Sequence, residues 1–516
     1  MSIKEQTFIS LNDVSFSTST HRLFHGLQLT LNAGQKVGLI GYNGAGKSTL
    51  LNLLSKVSKP SIGSVEHAKN LNFYQVEQYF PTRLEALTLL EAVLDVIEES
   101  QRLYVSWQAE SYLMQVGFSH QDFDSHCNEF SGGQQTRILL ARALMCEPNV
   151  LLLDEPSNHL DLPTLLWLEN FLNNWRGSFV IISHDTRLLD NITNSTWIIA
   201  NGTLNHFALA CSEAWLEHEK MKYACLQQHT EQKQEIKRLE ASAKRLATWG
   251  QDYDSKSLAR KAQSMYKRVG KLKLAQTPPP EPYPWHMSFP GTSLPADHIL
   301  TADNPKICTP DNIELFKLKS CFIKPGEKIA IIGKNGSGKT TLLHRIWHAY
   351  KNQDMSEIKL HPSARMAYYD QMQNTVDEQK DLIDALMQYC QHSGVNASSE
   401  QAKMTLIKSG FPWERLHNKV YTLSGGEKAR LMLAGISLIQ SHLLILDEPT
   451  NHLDMLGKHA LEEQLCQFGG TLILVSHDRS LIESVCQQFW VINEGRLDYF
   501  SSADKAYACL QDNQVG

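Results

Sequence analysis

Four short motifs occur twice in this chain of 516 residues, at one fixed spacing. GYNGAGKS at 41–48 returns as GKNGSGKT at 333–340, 292 residues later. SGGQ at 131–134 returns as SGGE at 424–427, DEPSNHLD at 154–161 as DEPTNHLD at 447–454, and SHD at 183–185 as SHD at 476–478, each 293 residues later. An offset held within one residue across four motifs means two homologous domains with equal loop lengths. The length agrees, being too great for one ordinary core and suited to two domains plus a connector. The expected boundaries are a first repeat at 1–210, a connector at 211–280 and a second repeat at 281–516.

Each repeat reads as α/β. The apolar runs 37–40, 151–153 and 179–182, and their counterparts 329–332, 443–446 and 471–475, suit strands buried on both faces of a parallel sheet. Helical patterns lie between them, as parallel crossovers require. No run reaches the 18 or so apolar residues of a membrane helix, and the start MSIKEQTF has no signal-peptide core. A soluble, cytoplasmic protein is therefore expected. Ten scattered cysteines without a Cys-x-x-Cys pair point to neither a metal cluster nor a disulfide framework.

The glycine loop at each strand-to-helix junction is a phosphate cradle. Gly41, Gly44 and Gly46, with Gly333, Gly336 and Gly338, let backbone N–H groups, those of Asn43 and Asn335 among them, turn inward around phosphate oxygens. The helix that follows adds its positive end. Lys47 and Lys339 would reach the β- and γ-phosphates. Ser48 and Thr340, followed by Thr49 and Thr341, would hold Mg²⁺. ATP and Mg²⁺ are the expected cofactors. Asp154 and Asp447 each end an apolar strand, a place suited to a water-mediated Mg²⁺ carboxylate. Glu155 and Glu448 would then orient or activate the attacking water; a merely paired, buried carboxylate is the alternative. His184 and His477 close the next strand in each repeat and are expected to contact the γ-phosphate. Their Ser-His-Asp is contiguous, so it is no hydrolase triad, whose members converge from separate segments.

SGGQ and SGGE, each 23 residues before the Asp-Glu pair, resemble the signature motif of ATP-binding cassette proteins. The resemblance implies two cassettes of the phosphate-loop NTPase fold packed head to tail. Each ATP would lie between one phosphate loop and the other cassette's signature, Ser424-Gly425-Gly426 across from Lys47 and Ser131-Gly132-Gly133 across from Lys339. It also implies that Gln78 and Gln371 contact the metal and that Asp161 and Asp454 couple the two sites. The cassettes would pair within one monomer. The aromatic residue that such proteins stack on adenine has no evident match, since Thr18, with Phe16 nearby, stands there in the first repeat and the second offers only PKIC at 305–308.

The connector is unlike either repeat. Residues 220–273 carry 14 Lys and Arg against 5 Asp and Glu, a net of +9 in a chain of −6, so the remainder carries −15. Ile236, Leu239, Ala243 and Leu246, then Leu258, Ala262, Met265, Val269 and Leu272, follow helical spacing. Two amphipathic helices joined near residues 249–255 should fold back as an antiparallel hairpin. Lys244, Arg245, Arg260, Lys261, Lys267 and Arg268 then decorate its outside. A solvated spacer is the plainer reading; a prong on nucleic acid with Trp249 and Tyr253 at its tip is the sharper one. TPPPEPYP at 277–284 breaks the helix, and residues 285–289 read as the second repeat's first strand.

Twin cassettes, both loops ending in NHLD and a basic helical linker together resemble the ABC-F family. The resemblance implies a ribosome-bound ATPase whose linker meets transfer RNA and ribosomal RNA. Members act as translation factors or dislodge ribosome-targeting antibiotics. Many insert a helical arm before the first signature. Here residues 78–131 and 371–424 have equal spacing, so no arm is expected. The competing readings are a transporter's ATPase subunit, which has no need of a basic hairpin, and a DNA-associated ABC ATPase, which usually carries zinc modules or far longer coiled coils.

Overall fold

A computed structural model describes the chain except for residues 1–5, 18–21, 159, 254, 275–286, 310–312, 353–356, 371–376, 452, 494 and 512–516. It divides into two compact units, residues 1–211 with 285–516, and residues 212–284.

The first repeat contains β1 (Thr7–Ser17), β2 (Arg22–Asn32), β3 (Lys36–Gly41), β4 (Ile62–His67), β5 (Phe73–Val76), β6 (Val150–Asp154), β7 (Ser178–Ile182), β8 (Ser195–Ala200) and β9 (Thr203–Phe207). The second contains β10 (Leu300–Ala302), β11 (Lys306–Cys308), β12 (Glu314–Lys317), β13 (Cys321–Ile323), β14 (Lys328–Gly333), β15 (Ile358–Leu360), β16 (Met366–Tyr369), β17 (Leu443–Asp447), β18 (Thr471–Val475), β19 (Gln488–Asn493) and β20 (Arg496–Phe500). The main sheet runs β5-β6-β7-β3-β8-β9 in the first repeat. In the second, the strands β16-β17-β18-β14-β19-β20 repeat that order and β12 and β11 extend it. A small antiparallel sheet, β2-β1-β4 or β13-β10-β15, accompanies each.

The central strands are buried at every position from Val150 to Asp154 and from Leu443 to Asp447. That burial is why they are continuous apolar runs rather than alternating ones. Leu39 pairs with Ile182 and Asp154 with Ile182, so β3, β6 and β7 end level with one another. The phosphate loop follows β3, the Asp-Glu pair ends β6, His184 follows β7 and Gln78 follows β5. Motifs scattered over a hundred and fifty residues are thereby delivered to one edge, the carboxyl ends of parallel strands, where open α/β sheets bind ligands.

Between β5 and the first signature lie short helices and the 17-residue helix Glu99–Gln115. The second repeat has Leu382–His392 and Ser399–Lys408 in the same interval. Among the described residues no long arm is inserted. One expectation fails: residues 287–290 form no strand, and β10 is the first strand of the second repeat. Pro290 has no N–H to donate. The segment makes only an isolated bridge, Gly291 to Ser441, with Gly291 pressed onto the Phe468 ring. Trp285 and His286 lie outside the described residues.

The second unit is a helical hairpin. The helix Cys211–Asp252, which begins at the unit boundary, is followed by Lys256–Leu274. Ile236, Ala243, Ala262 and Val269 are buried along its seam. Arg268 pairs with Glu235 at 3.5 Å and Lys273 with Glu240 at 2.6 Å, so the shorter helix folds back against the longer one. All six cations singled out above are exposed, as are Trp249 and Tyr253.

Candidate functional site

The phosphate loops are shaped by backbone conformations that side chains disfavour. Gly44 and Gly46 have φ of 81° and 93°, and Gly336 and Gly338 have 78° and 97°. A Cβ on Gly46 would meet the Phe24 ring at 2.7 Å, and one on Gly338 would meet Leu315 at 2.9 Å, whereas Gly44 and Gly336 face open space. The floor is therefore packed and the mouth open. Lys47 and Lys339 begin the helices Lys47–Leu54 and Lys339–Asn352. Each is buried, and each ammonium folds back onto its own loop, Lys47 onto the Gly41 carbonyl at 3.0 Å and Lys339 onto that of Gly333 at 2.8 Å. Burial lowers both pKa values, against the pull of Glu155, Asp454 and Asp154 on Lys47 and of Glu448, Asp161 and Asp447 on Lys339. Ser48, Thr49, Thr340 and Thr341 occupy the first helical turns.

The carboxylates beside the loops fit a cationic partner. Asp154 Oδ1 and both carboxylate oxygens of Asp447 are buried with no hydrogen-bond partner. Burial pushes Asp447 up to about 7, although the Thr340 hydroxyl and Lys339 pull the other way. Asp154 is raised for the same reason, opposed by Ser48 and Lys47. A divalent ion is the partner such an arrangement suits. Gln78 is exposed just beyond β5. Gln371 lies outside the described residues.

Glu155 and Glu448 both have φ of 50°, in the left-handed region that non-glycine residues seldom enter. Their N–H groups hold the turn, bonding to Ile182 O at 3.0 Å and Val475 O at 2.8 Å. Each carboxylate lies beside the histidine that follows the neighbouring strand. His184 Nε2 is 3.2 Å from Glu155, and His477 Nε2 is 3.4 Å from Glu448. The surroundings then diverge. Burial raises Glu155, but His184 and the Asn158 amide outweigh it and hold its pKa at about 2. Among the described residues no side-chain amide meets Glu448, whose Oε2 accepts the His477 N–H at 3.3 Å, and burial pushes it up to about 7. His477 is pushed down to about 3 by burial and Lys339, and burial also lowers His184. Asn158 was not singled out from the sequence, although its repetition as Asn451 in both NHLD loops was the available signal.

The signature serines cap helices. Ser131 caps Gly132–Met145 through a reciprocal box with Gln134, and Ser424 caps Gly425–Ser437 with Glu427. Gly133 and Gly426 lie in these first turns. Gly133 is pressed against Leu160, in the loop that holds Asp161, and against Thr164, in the helix that Asp161 caps. The Asp161 carboxylate caps its own helix at Thr164 and accepts the Asn335 N–H of the opposite phosphate loop at 3.4 Å. Asp454 mirrors it, capping at Gly457 and accepting the Asn43 N–H at 3.4 Å. The NHLD loop against which Gly133 packs thus reaches the second phosphate loop, and the NHLD loop of the second cassette reaches the first. Phe16 pairs with Phe24 across β1 and β2. Thr18 lies outside the described residues, and β11 offers no aromatic residue.

Among the described residues there is no group of His, Cys, Asp and Glu able to hold a metal by itself, and no helix long and apolar enough to cross a membrane.

The ABC transporter family model matches residues 24–158 and again 317–451. The ATP-binding protein Uup of Buchnera aphidicola subsp. Acyrthosiphon pisum is 30% identical over 94% of this chain and 80% of its own length. ABC transporter F family member 2 of Arabidopsis thaliana is 30% identical over 95% of this chain and 77% of its own. Among solved structures, the archaeal ribosome recycling factor aABCE1, in complex with the ribosomal stalk protein aP1, matches with a TM-score of 0.61 at 18% identity, over 93% of this chain and 87% of that one. That likeness shows the tandem fold. Two phosphate loops, each bonded by the aspartate of the other cassette's NHLD loop, matched twice by a single family model and along nearly the whole chain by ABC-F relatives, make this chain an ATPase of the ABC-F group of ATP-binding cassette proteins.

Proposed function

We propose that this protein binds the ribosome in the cytoplasm and uses ATP binding and hydrolysis at the seam to modulate translation. The observation that carries the reading is a basic helical hairpin, compact in itself, joined to a cassette pair that closes on itself within one chain. An acidic body avoids RNA except where its basic prong leads.

ATP with Mg²⁺ fits the residues present. Lys47 and Lys339 would leave their own loop carbonyls for the β- and γ-phosphates. Ser48, Gln78 and Asp154 would hold the ion in one site, and Thr340, Gln371 and Asp447 in the other. The ion would neutralise the phosphates and the orphaned aspartate oxygens. Glu155 and Glu448 would accept the proton of the attacking water, with His184 and His477 orienting them. Ser424 and Ser131 would close each site from the opposite cassette.

The test is pelleting of the Glu155→Gln, Glu448→Gln protein with ribosomes in the presence and absence of ATP. ATP-dependent co-sedimentation is expected. Equal amounts in the pellet with and without ATP would refute the reading. Release of a ribosome-bound antibiotic would be a finer form of the same activity, read by adding labelled drug to the same experiment.

A further inference from the structure

One lysine ties the two candidate sites together, and the repeat has no second copy of it. Lys458 lies on the helix Met455–Gln467, which Asp454 caps. Its ammonium donates to the His184 carbonyl of the first cassette at 3.0 Å and pairs with the Asp478 carboxylate of the second at 3.1 Å. His184 touches Glu155, and Asp478 follows His477, which touches Glu448. Asp454, at the start of the same helix, already holds the first phosphate loop through the Asn43 N–H. One helical turn therefore contacts the first site at two points and the second at one. The equivalent position in the first cassette, 293 residues earlier, is Leu165, which is buried and cannot make such a bridge.

The charges around this ammonium favour a fixed position. Asp478 and Asp185 each cap a short helix, Arg479–Val485 and Thr186–Ile192. Burial and the nearby Asp478 raise the Asp185 carboxyl, with Lys458 and Arg479 opposing. Arg479 is itself engaged by Glu169 at 2.6 Å. Lys458 is thus the cation shared between two acidic helix caps and one carbonyl. A shift of His184 toward or away from a phosphate at the first site changes how much of that ammonium Asp478 receives. Asp478 in turn fixes the N-terminus of the helix that follows His477.

We propose that Lys458 is the positioning residue through which the two nucleotide sites sense each other, and that this coupling runs through one bridge rather than two symmetric ones. This rests on the reading of His184 and His477 as γ-phosphate-facing residues. Coupling is a free energy shared by both sites, so it is measured as the factor by which one site's occupancy alters the other's affinity.

The experiment uses the full chain carrying Glu155→Gln and Glu448→Gln, with a fluorescent ATP analogue as probe. Affinity of the Lys339 site is measured with the first site intact and with it disabled by Lys47→Ala. The ratio is the coupling factor, expected at roughly fivefold or more. Lys458→Leu, which copies the first cassette, should bring the ratio near one while the Lys339 site still binds. Lys458→Arg, which keeps the charge and a donor, should restore most of it. Adding Asp478→Asn to Lys458→Leu removes the carboxylate left facing Asp185 and keeps a capping side chain. This double variant should regain thermal stability without regaining coupling. A ratio unchanged by Lys458→Leu, or coupling that returns with stability in the double variant, would overturn the proposal. A parent that binds no nucleotide would refute the site reading itself, and the coupling with it.

Discussion

Glu155 and Glu448 hold the same place in the repeat, with the same strained backbone, yet their carboxyls sit at about 2 and about 7. The difference comes from His184 and then the Asn158 amide, which hold the first carboxylate down, and from deeper burial of the second. Under the proposed role of both as bases for the attacking water, loss of both is expected to stop turnover. Glu155→Gln with Glu448→Gln should lower steady-state ATP hydrolysis by roughly 10²–10⁴ while nucleotide still binds; undiminished hydrolysis would remove these residues from the chemistry. Their linkage to stability has opposite signs. Glu448 has a folded pKa above its unfolded one, so its contribution is fully present below about 4.5 and lost as pH rises through about 7. Glu155 has a depressed pKa, so its contribution is present above about 4.5 and lost as pH falls toward 2. Between pH 5 and 8 only the first effect operates. At roughly 1.4 kcal/mol per pKa unit, Glu448→Gln should stabilise the nucleotide-free protein at pH 8 by up to about 3 kcal/mol and hardly at pH 5. Melting curves of parent and variant at the two pH values decide it, and a difference independent of pH would contradict it. A third inequality lies in the signatures. Ser424 donates its hydroxyl to Glu427 at 3.1 Å, and Arg415 holds the same carboxylate at 2.6 Å. Gln134 and Asp122 stand at these positions in the first cassette. Arg415→Gln should therefore weaken nucleotide binding at the Lys47 site by placing an unpaired carboxylate near phosphate. Glu427→Gln in the same chain should restore it. Failure of that rescue in a binding titration would leave Arg415 with a purely local role.

The helical hairpin is where sequence pattern and structure agree most closely among the elements. The buried positions Ile236, Ala243, Ala262 and Val269 are those that helical periodicity selected, because a two-helix seam is governed by spacing alone. Its cations have no such internal determinant, since they are exposed and, among the described residues, only Arg268 and Lys273 are drawn into cross-helix pairs. Changing Lys244, Arg245, Arg260, Lys261, Lys267 and Arg268 to Gln changes helix propensity little. Ribosome affinity should fall and its salt dependence flatten by roughly 0.7–0.9 log units per log unit of salt for each lost contact. Pelleting across a salt series reads this, and superimposed curves would make the hairpin a spacer. The central strands were equally legible, since β7 and β18 end where their apolar runs end. Residues 285–289 misled because apolar and aromatic content was read as a ladder, whereas prolines on either side withhold donors. The left-handed turn at Glu155 and Glu448 left no trace in residue type. Glutamate gives no hint of a positive φ, which is imposed by the bonds to Ile182 and Val475. The cross-cassette reach of Asp161 and Asp454 was expected only from the family resemblance, because it depends on how two domains meet.

At the scale of the whole cassette pair, the Asp161 and Asp454 contacts mirror each other but the ion pairs between the cassettes do not. Arg479 of the second cassette is buried against Glu169 of the first, and Arg187 of the first pairs with Glu483 of the second. The equivalent positions hold Thr186, Glu462, Ser480 and Asp190, so the mirror-image pairs do not form. These pins involve the helices that follow His184 and His477. Breaking a buried pair from one side costs about 3–5 kcal/mol, because the remaining charge keeps its desolvation without its partner. Glu169→Gln should therefore loosen the contact between cassettes while leaving each cassette's own core intact. Spin labels placed one on each cassette should report a broader distance distribution without nucleotide, and the melting transition should split or fall. Exchanging the charges, with Glu169→Arg and Arg479→Glu together, should narrow the distribution again. If the single variant leaves both distance and melting unchanged, the cassettes are held by their phosphate-loop contacts at Asp161 and Asp454 rather than by this ion pair.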